Sequence, residues 1–213
     1  MTGLVAGVDV GGTFTDLVVF DPASGAVRLA KVPTTLPNQS GGVLAAFEAA
    51  GADLSGIDLI VHGTTTTTNA VLERQLAKTG FVTTLGFRDV LELGRRTRPQ
   101  AYGMHGAFTP IIPRDLRLEV PERMDARGRV VTPLDEGALR AAVQRLREAG
   151  CEAIVIHFLH AYANPAHELR AGEIAAENWP NDYITLGHKL LSESREYERG
   201  VTAAVNASVQ PLL

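Results

Sequence analysis

The chain has 213 residues, 45% apolar and 21% charged, with a formal net charge of −4. That length supports one or two domains with a sizeable buried core, and the acidic balance argues against nucleic acid as a partner, because a phosphate-backbone binder carries a basic face. The single cysteine, Cys151, rules out an intrachain disulfide and points to a reducing compartment, the cytoplasm.

The amino-terminal stretch MTGLVAGVDVGG reaches Asp9 without a basic region, unlike a secretory signal. No apolar run has the length of a membrane span, so no membrane role is expected and the sequons at Asn38 and Asn206 read as chance matches. Three short strands are expected over 4–10, 14–21 and 26–32, punctuated by Gly11-Gly12 and by Pro22–Gly25, forming a β-meander. A helix follows, capped by Asn38 or Ser40, with Val43, Leu44 and Phe47 on one face and Gly51 at its end. Residues 58–62 read as a short buried strand, and the second half of HGTTTTTNAVLER as helix. GFVTTLGF is a further strand and DVLELG a short helix. From about 94 to 124 the pattern breaks down into an Arg-, Pro- and Gly-rich segment of the kind that faces a substrate or partner. A turn is expected at Asp125–Gly128. Residues 134–149 then form an amphipathic helix with Leu139, Ala142, Val143 and Leu146 at the i, i+3, i+4, i+7 positions. Residues 153–159 are a buried strand, Asn164-Pro165 opens a helix to about Asn178, YITL is a strand, and SREYERGVTAAVNASV begins a last helix. The chain carries no internal repeat or low-complexity tract. The fold class is α/β: a mixed sheet with an N-terminal β-meander and βαβ units behind it.

The octet DVGGTFTD, Asp9 to Asp16, is the sharpest local signal. Paired glycines permit positive φ and a tight turn between strands, and their bare backbones offer N–H groups to an anion. Thr13 and Thr15 add hydroxyls, and Asp9 ends its strand where a carboxylate can hold a hydrated magnesium ion. The bland reading is a tight hairpin capped by Asp9. The nucleotide motifs GxxxxGK[ST] and GxGxxG are absent, whereas a phosphate loop between two strands with an Asp at its base is the pattern of the actin, hexokinase and Hsp70 ATPases, a ribonuclease H-like lobe.

Several motifs in order, DVGGTFTD, HGTTTTTNAVLER, TTLGFRDVLELGRRTRP, ERMDARGRVVTPLDE, HFLHAYANPAHE and LSESREYERG, make the chain resemble the N-terminal region of the hydantoinase A/5-oxoprolinase family. The resemblance implies an actin-like ATPase lobe, ATP and Mg²⁺ as cofactors, a small cyclic amide as substrate and a hydantoinase B-type subunit or domain as partner, in an oligomer. It implies that ATP phosphorylates a carbonyl or enol oxygen; in lactam hydrolysis an unreactive amide becomes an imidate phosphate that water attacks. Asp9 would organise Mg²⁺, while Gly11, Gly12 and Thr13 hold phosphate and Thr15 and Asp16 support the loop. The resemblance also favours an active-site role for His62 and for Gly63, Thr64 and Thr65 over plain helix capping. Thr66-Thr67 stand where relatives more often carry Val-Ala. Arg95 and Arg98 match the family's pattern, with Pro99 following, and could clamp a phosphate or a substrate carbonyl; Arg95, Arg96 and Arg98 read equally well as a solvated basic loop.

In that family a second phosphate loop and the adenosine-binding elements lie further along a longer polypeptide. The expectation is therefore an N-terminal domain over 1–180 and the start of a following region over 181–213, binding ATP weakly and not turning it over alone. Two alternatives stand beside the amide hydrolase: a subunit of an ATP-dependent ketone carboxylase (acetone or acetophenone type), and a non-catalytic assembly domain. His157 and His160, read on a strand and its end, fall on opposite faces; with His167 and Glu168 nearby a metal site is conceivable, but packing and capping are the expectation. Cys151 reads as a buried structural thiol and Trp179 as a packing residue.

Overall fold

The computed structural model describes residues 3–35, 38–95, 100, 102, 103, 106 and 108–212. The chain divides into two compact units, Met1–Gln75 and Leu76–Leu213.

The first unit contains β1 (Leu4–Val10), β2 (Phe14–Phe20), β3 (Val27–Pro33), α1 (Gln39–Ala49), β4 (Ile57–Thr64) and α2 (Thr66–Glu73). Its sheet runs β3-β2-β1-β4. The meander is antiparallel and β4 joins β1 in parallel. Alternation along β1 and β2 sends Ala6, Val8, Val10, Leu17 and Val19 to one face, where Ala46 and Phe47 of α1 cover them. Asn38 caps α1, its side chain accepting from Ser40 N. Of the face expected for α1, Val43 and Phe47 pack on this core and Leu44 does not. Gly42, Ala46 and Phe47 are buried and Leu44 is 55% exposed, because the helix lies close to the sheet: a Cβ on Gly42 would stand 3.1 Å from Thr15 Oγ1. β4 is longer than expected and is not buried. It is the edge of this sheet, and Leu59, Ile60 and Val61 are 42%, 47% and 59% exposed.

The second unit contains β5 (Thr79–Thr84), α3 (Val90–Leu93), β6 (Arg117–Val120), β7 (Arg123–Met124), β8 (Val130–Thr132), α4 (Glu136–Glu148), β9 (Ala153–His157), α5 (Ala166–Asn178), β10 (Ile184–Leu186), α6 (Gly187–Leu190) and α7 (Glu196–Val209). Its main sheet, β10-β9-β5-β6, is wholly parallel, with β7 and β8 as a separate antiparallel ribbon. The mixed sheet expected for the chain is thus the first unit's sheet, and the later βαβ units build a second one. β6 and β7 lie inside the segment expected to be irregular. Only four residues long and carrying Arg117 and Glu119, β6 has no apolar run to betray it. Asp125–Gly128 turns β7 into β8 as expected, Gly128 N donating to Asp125 O.

The core of this unit forms where α4, α5 and α7 cover β5 and β9. Leu139, Ala142, Val143 and Leu146 of α4 are all buried, as the periodicity requires, and burying each large side chain contributes about 1.5–3 kcal/mol. β5 needs glycine at position 80, since a Cβ there would lie 2.7 Å from Leu146 Cδ1. Cys151 is buried and unpaired, and burial pushes its thiol pKa up, as suits a structural thiol. Trp179 is buried in the same core.

Candidate phosphate-binding site

The hairpin between β1 and β2 is closed by Gly11 N donating to Phe14 O at 2.9 Å, with Asp9 opposite Asp16 and Val10 opposite Thr15. Gly11 and Gly12 do not adopt positive φ, contrary to the role expected for them. They are needed for space. A Cβ on Gly11 would stand 3.1 Å from Phe14 O, and one on Gly12 3.1 Å from Asn69 Nδ2. Thr13 is exposed, and its carbonyl accepts from Thr34 N at 2.9 Å.

Thr15 is fully buried, so its hydroxyl does not reach the open side of the loop. It meets Thr34 Oγ1 at 3.0 Å, and Thr34 in turn donates to Gly11 O at 2.8 Å. Thr15 therefore supports the loop from behind rather than contacting a ligand. Thr34, which carries that support, went unnoticed in the sequence because it lies outside the motif.

The end of β4 and the start of α2 frame the hairpin from the other side. Thr64 Oγ1 and Thr65 N both donate to Val10 O, each at 3.2 Å. Thr64 Oγ1 also accepts from Thr66 N at 3.2 Å and meets Thr66 Oγ1 at 2.8 Å, to which Gln39 Nε2 donates at 3.0 Å. Thr65 occupies the cap position of α2 but makes no side-chain cap bond, so its hydroxyl stays available on the loop side, 4.0 Å from where a Cβ on Gly11 would sit. Asn69, one turn into α2, donates to Thr65 Oγ1 at 3.5 Å and borders Gly12. The sequence offered a signal for it, an amide one helical turn after a run of hydroxyls at a helix start.

Asp9 is exposed, with Oδ1 3.8 Å from where a Cβ on Gly63 would be. Asp16 shares its face and is bound by Lys31 Nζ at 2.9 Å. Among the described residues no group of three or more His, Cys, Asp or Glu side chains is placed to hold a metal. A lone accessible carboxylate nonetheless suits Mg²⁺, which keeps most of its waters and takes one or two carboxylates. His62 does not join this cluster. It lines an open cavity of about 380 Å³ with Gln39, Ser40, Val43 and Leu44. Arg95 belongs to the second unit, where it is exposed and donates to Glu198 at 2.6 Å. Arg98 and Arg96 lie outside the described residues.

The second unit carries a set of buried polar residues, Glu168, Glu122, Arg199 and His157 among them. Glu168 on α5 is fully buried and accepts from Phe158 N, His188 N and His188 Nδ1 at 2.7, 2.9 and 2.6 Å. Glu122 accepts from Thr84 Oγ1 and lies 2.8 Å from His167 Nδ1. Arg199 is buried against Glu196, Glu193 O and Phe158 O. His157 ends β9, whereas His160 lies beyond the strand with φ of 57°, so the two are not a strand pair.

The family model for the hydantoinase/oxoprolinase N-terminal region matches residues 5–179. The chain belongs to this family. It is 37% identical, over 95% of its length and 30% of the other protein's, to the acetophenone carboxylase gamma subunit of Aromatoleum aromaticum. Among solved structures it resembles nucleotide-free acetone carboxylase, with a TM-score of 0.86 and 27% identity over 100% of this chain and 33% of that one. It also resembles the ATP-dependent caprolactamase of Pseudomonas jessenii, with a TM-score of 0.81 and 33% identity over 97% of this chain and 31% of that one. The chain spans about a third or less of the length of the curated relatives it matches. Its relatives thus include an ATP-dependent caprolactamase and an acetone carboxylase whose carboxylation is ATP-dependent. Among the described residues no helix is long and apolar enough to cross a membrane.

Proposed function

We propose that this family member is the N-terminal, phosphate-holding region of an ATP-dependent cyclic amide hydrolase. The observation that carries the reading is the convergence of Gly11, Gly12, Thr65 and Asn69 around one hairpin, with Asp9 at the end of its first strand. Backbone N–H groups of Gly12 and Thr13, the Thr65 hydroxyl and the Asn69 amide would bind phosphate oxygens, and Asp9 would hold the hydrated Mg²⁺. MgATP would supply the phosphoryl group that activates an amide carbonyl oxygen. The chain's own residues then act by positioning: Thr34 and Thr15 fix the loop, and Thr64 ties β4 to the end of β1. Arg95 and Arg98 are proposed to meet the substrate or phosphate, and His62 to act beside the site. A B-type partner subunit, an oligomeric assembly and a cytoplasmic location complete the reading, the last resting on the unpaired Cys151.

The 37% identity to an acetophenone carboxylase subunit supports a second reading, a ketone carboxylase subunit using the same phosphate site. Calorimetric titration of the chain with MgATP, beside Asp9→Asn, tests what both readings share. Weak binding that depends on Mg²⁺ and is lost in the variant supports it; binding of equal strength in the two proteins removes it. Product analysis of the native enzyme with lactams and with ketones plus bicarbonate separates the two readings.

A further inference from the structure

A row of four residues crosses the sheet of the first unit at the level of the hairpin. Register pairs Gly63 of β4 with Asp9 of β1, Asp9 with Asp16 of β2, and Asp16 with Lys31 of β3. Residues paired across strands share a face, so the row reads as no side chain, acid, acid, base. Carboxylates directly opposite each other repel, yet only one of these two is neutralised. Lys31 Nζ donates to Asp16 Oδ1 and Oδ2, both at 2.9 Å. The same ammonium lies 5.0 Å from the centroid of the Phe14 ring, which projects from that face two residues before Asp16. Among the described residues Asp9 has no cationic partner.

The Lys31–Asp16 pair does little for the fold, because both side chains are about half exposed and an exposed ion pair adds little to stability. Its place matters more. Gly11, two residues after Asp9, faces the same side of the sheet, and a Cβ there would stand 4.0 Å from Thr65 Oγ1. The Thr65 hydroxyl, the Asp9 carboxylate and the Lys31 ammonium are therefore gathered on one side of the loop. Gly63 keeps the other flank of Asp9 open, since a Cβ there would lie 3.8 Å from Asp9 Oδ1. With Lys31 seated on Asp16, one carboxylate is left for a hydrated cation, and the row presents a single negative charge instead of two.

We propose that Lys31 is a positioning residue of the phosphate site: by occupying Asp16 it restricts the divalent cation to Asp9 and lowers the negative charge that an incoming nucleoside triphosphate meets. Without Lys31, two neighbouring carboxylates would attract a bare cation more strongly and repel the polyphosphate. Lys31 thus makes the site favour the cation–nucleotide complex over the cation alone. The inference rests on the phosphate-site reading above and adds to it a control of cation against nucleotide.

Lys31→Met keeps the length of the side chain and removes its charge. Two affinities of the 213-residue chain are measured: for Mn²⁺ without nucleotide, by electron paramagnetic resonance, since Mn²⁺ takes carboxylates as Mg²⁺ does, and for MgATP, by calorimetry. Lys31→Met should bind Mn²⁺ about tenfold more tightly and MgATP about fivefold more weakly, the opposite signs expected when a positive charge leaves a site that meets both a dication and a polyanion. Lost packing would weaken both. Lys31→Arg should match the wild type in both to within about twofold, because its guanidinium also pairs with a carboxylate. Adding Asp16→Asn to Lys31→Met should return Mn²⁺ binding to within about twofold of the wild type, since the tightening needs the second carboxylate. The proposal is overturned if Lys31→Met fails to tighten Mn²⁺ binding or to weaken MgATP binding, or if the tightening survives Asp16→Asn. Asp9→Asn, measured alongside, keeps the two readings apart. Loss of MgATP binding there, with no change in Lys31→Met, removes the role of Lys31 alone; unchanged binding in Asp9→Asn removes the phosphate site itself.

Discussion

Asp9 and His62 stand on neighbouring strands but on opposite faces of one sheet. Val8 pairs with His62 and Asp9 with Gly63, and Val8 is buried beneath α1 while Asp9 is exposed. Side chains paired across parallel strands share a face, and successive ones alternate. The two residues that motif reading joined in one active site therefore address different spaces. Asp9→Asn should weaken MgATP binding about tenfold or more, the order of a lost charge-assisted contact. His62→Ala should leave it unchanged to within about twofold, as for an independent site. Titration of both variants at fixed Mg²⁺ decides it: an equal loss in each would put both side chains on the nucleotide.

Behind the loop, Thr34 is the shared partner of Thr15 Oγ1 and Gly11 O. Thr15→Val removes one hydroxyl and leaves Thr34 its carbonyl acceptor, so the cost should be about 1 kcal/mol. Thr34→Val strips the partner from both groups, one of them on a fully buried side chain, and should cost about 2 kcal/mol and loosen the hairpin between β1 and β2. Urea unfolding midpoints give the order; a larger loss for Thr15→Val would mean that Thr34 is not the hub.

In the second unit Glu168 gathers three donors, from Phe158 N, His188 N and His188 Nδ1. A glutamine of the same shape has one accepting oxygen and an amide that donates. The His188 ring can change tautomer and offer a lone pair, but its backbone N–H cannot. Glu168→Gln should thus leave one buried donor facing another and destabilise the unit by about 2 kcal/mol. Denaturant unfolding of the variant checks this, and an unchanged midpoint would show that the three donors do not depend on a second accepting oxygen.

Much of this was legible in the sequence. The helix Glu136–Glu148 follows its 3.6-residue period onto four buried residues, and the meander follows the glycine and proline turns. Properties set by neighbours remote in sequence were not legible. Phase on α1 depends on how near Gly42 comes to Thr15, and exposure of β4 depends on its place at a sheet edge. β6 was hidden because Arg117, fully buried, is held by Glu92 and the carbonyl of Arg88, partners that a strand pattern does not encode. At the hairpin the residue types were readable, but Thr34 and Asn69 join it only through tertiary contact.

His157 makes the fold sensitive to acid. Burial, the dominant cause, pushes its pKa from 6.5 down to about 4; Glu168 pulls it back up and Arg199 adds to the fall. The ring has no room to bring in water, since Cβ atoms at Gly187 and Gly200 would lie 2.9 and 3.1 Å from its nitrogens, and Nδ1 has no partner. The folded protein therefore holds it neutral where the unfolded chain binds a proton. Because the unfolded state takes up more protons in this window, stability is full above pH 6.5 and falls as the pH drops towards 4, by about 3 kcal/mol in all. Glu196, whose carboxyl is raised by burial, acts in the opposite sense at the acid end, so the comparison must be with a variant that keeps it. His157→Gln removes the titration and retains a polar side chain. Its stability, measured by urea unfolding from pH 7 to pH 4, should fall less steeply than that of the wild type, and parallel curves would mean that His157 is already protonated in the fold.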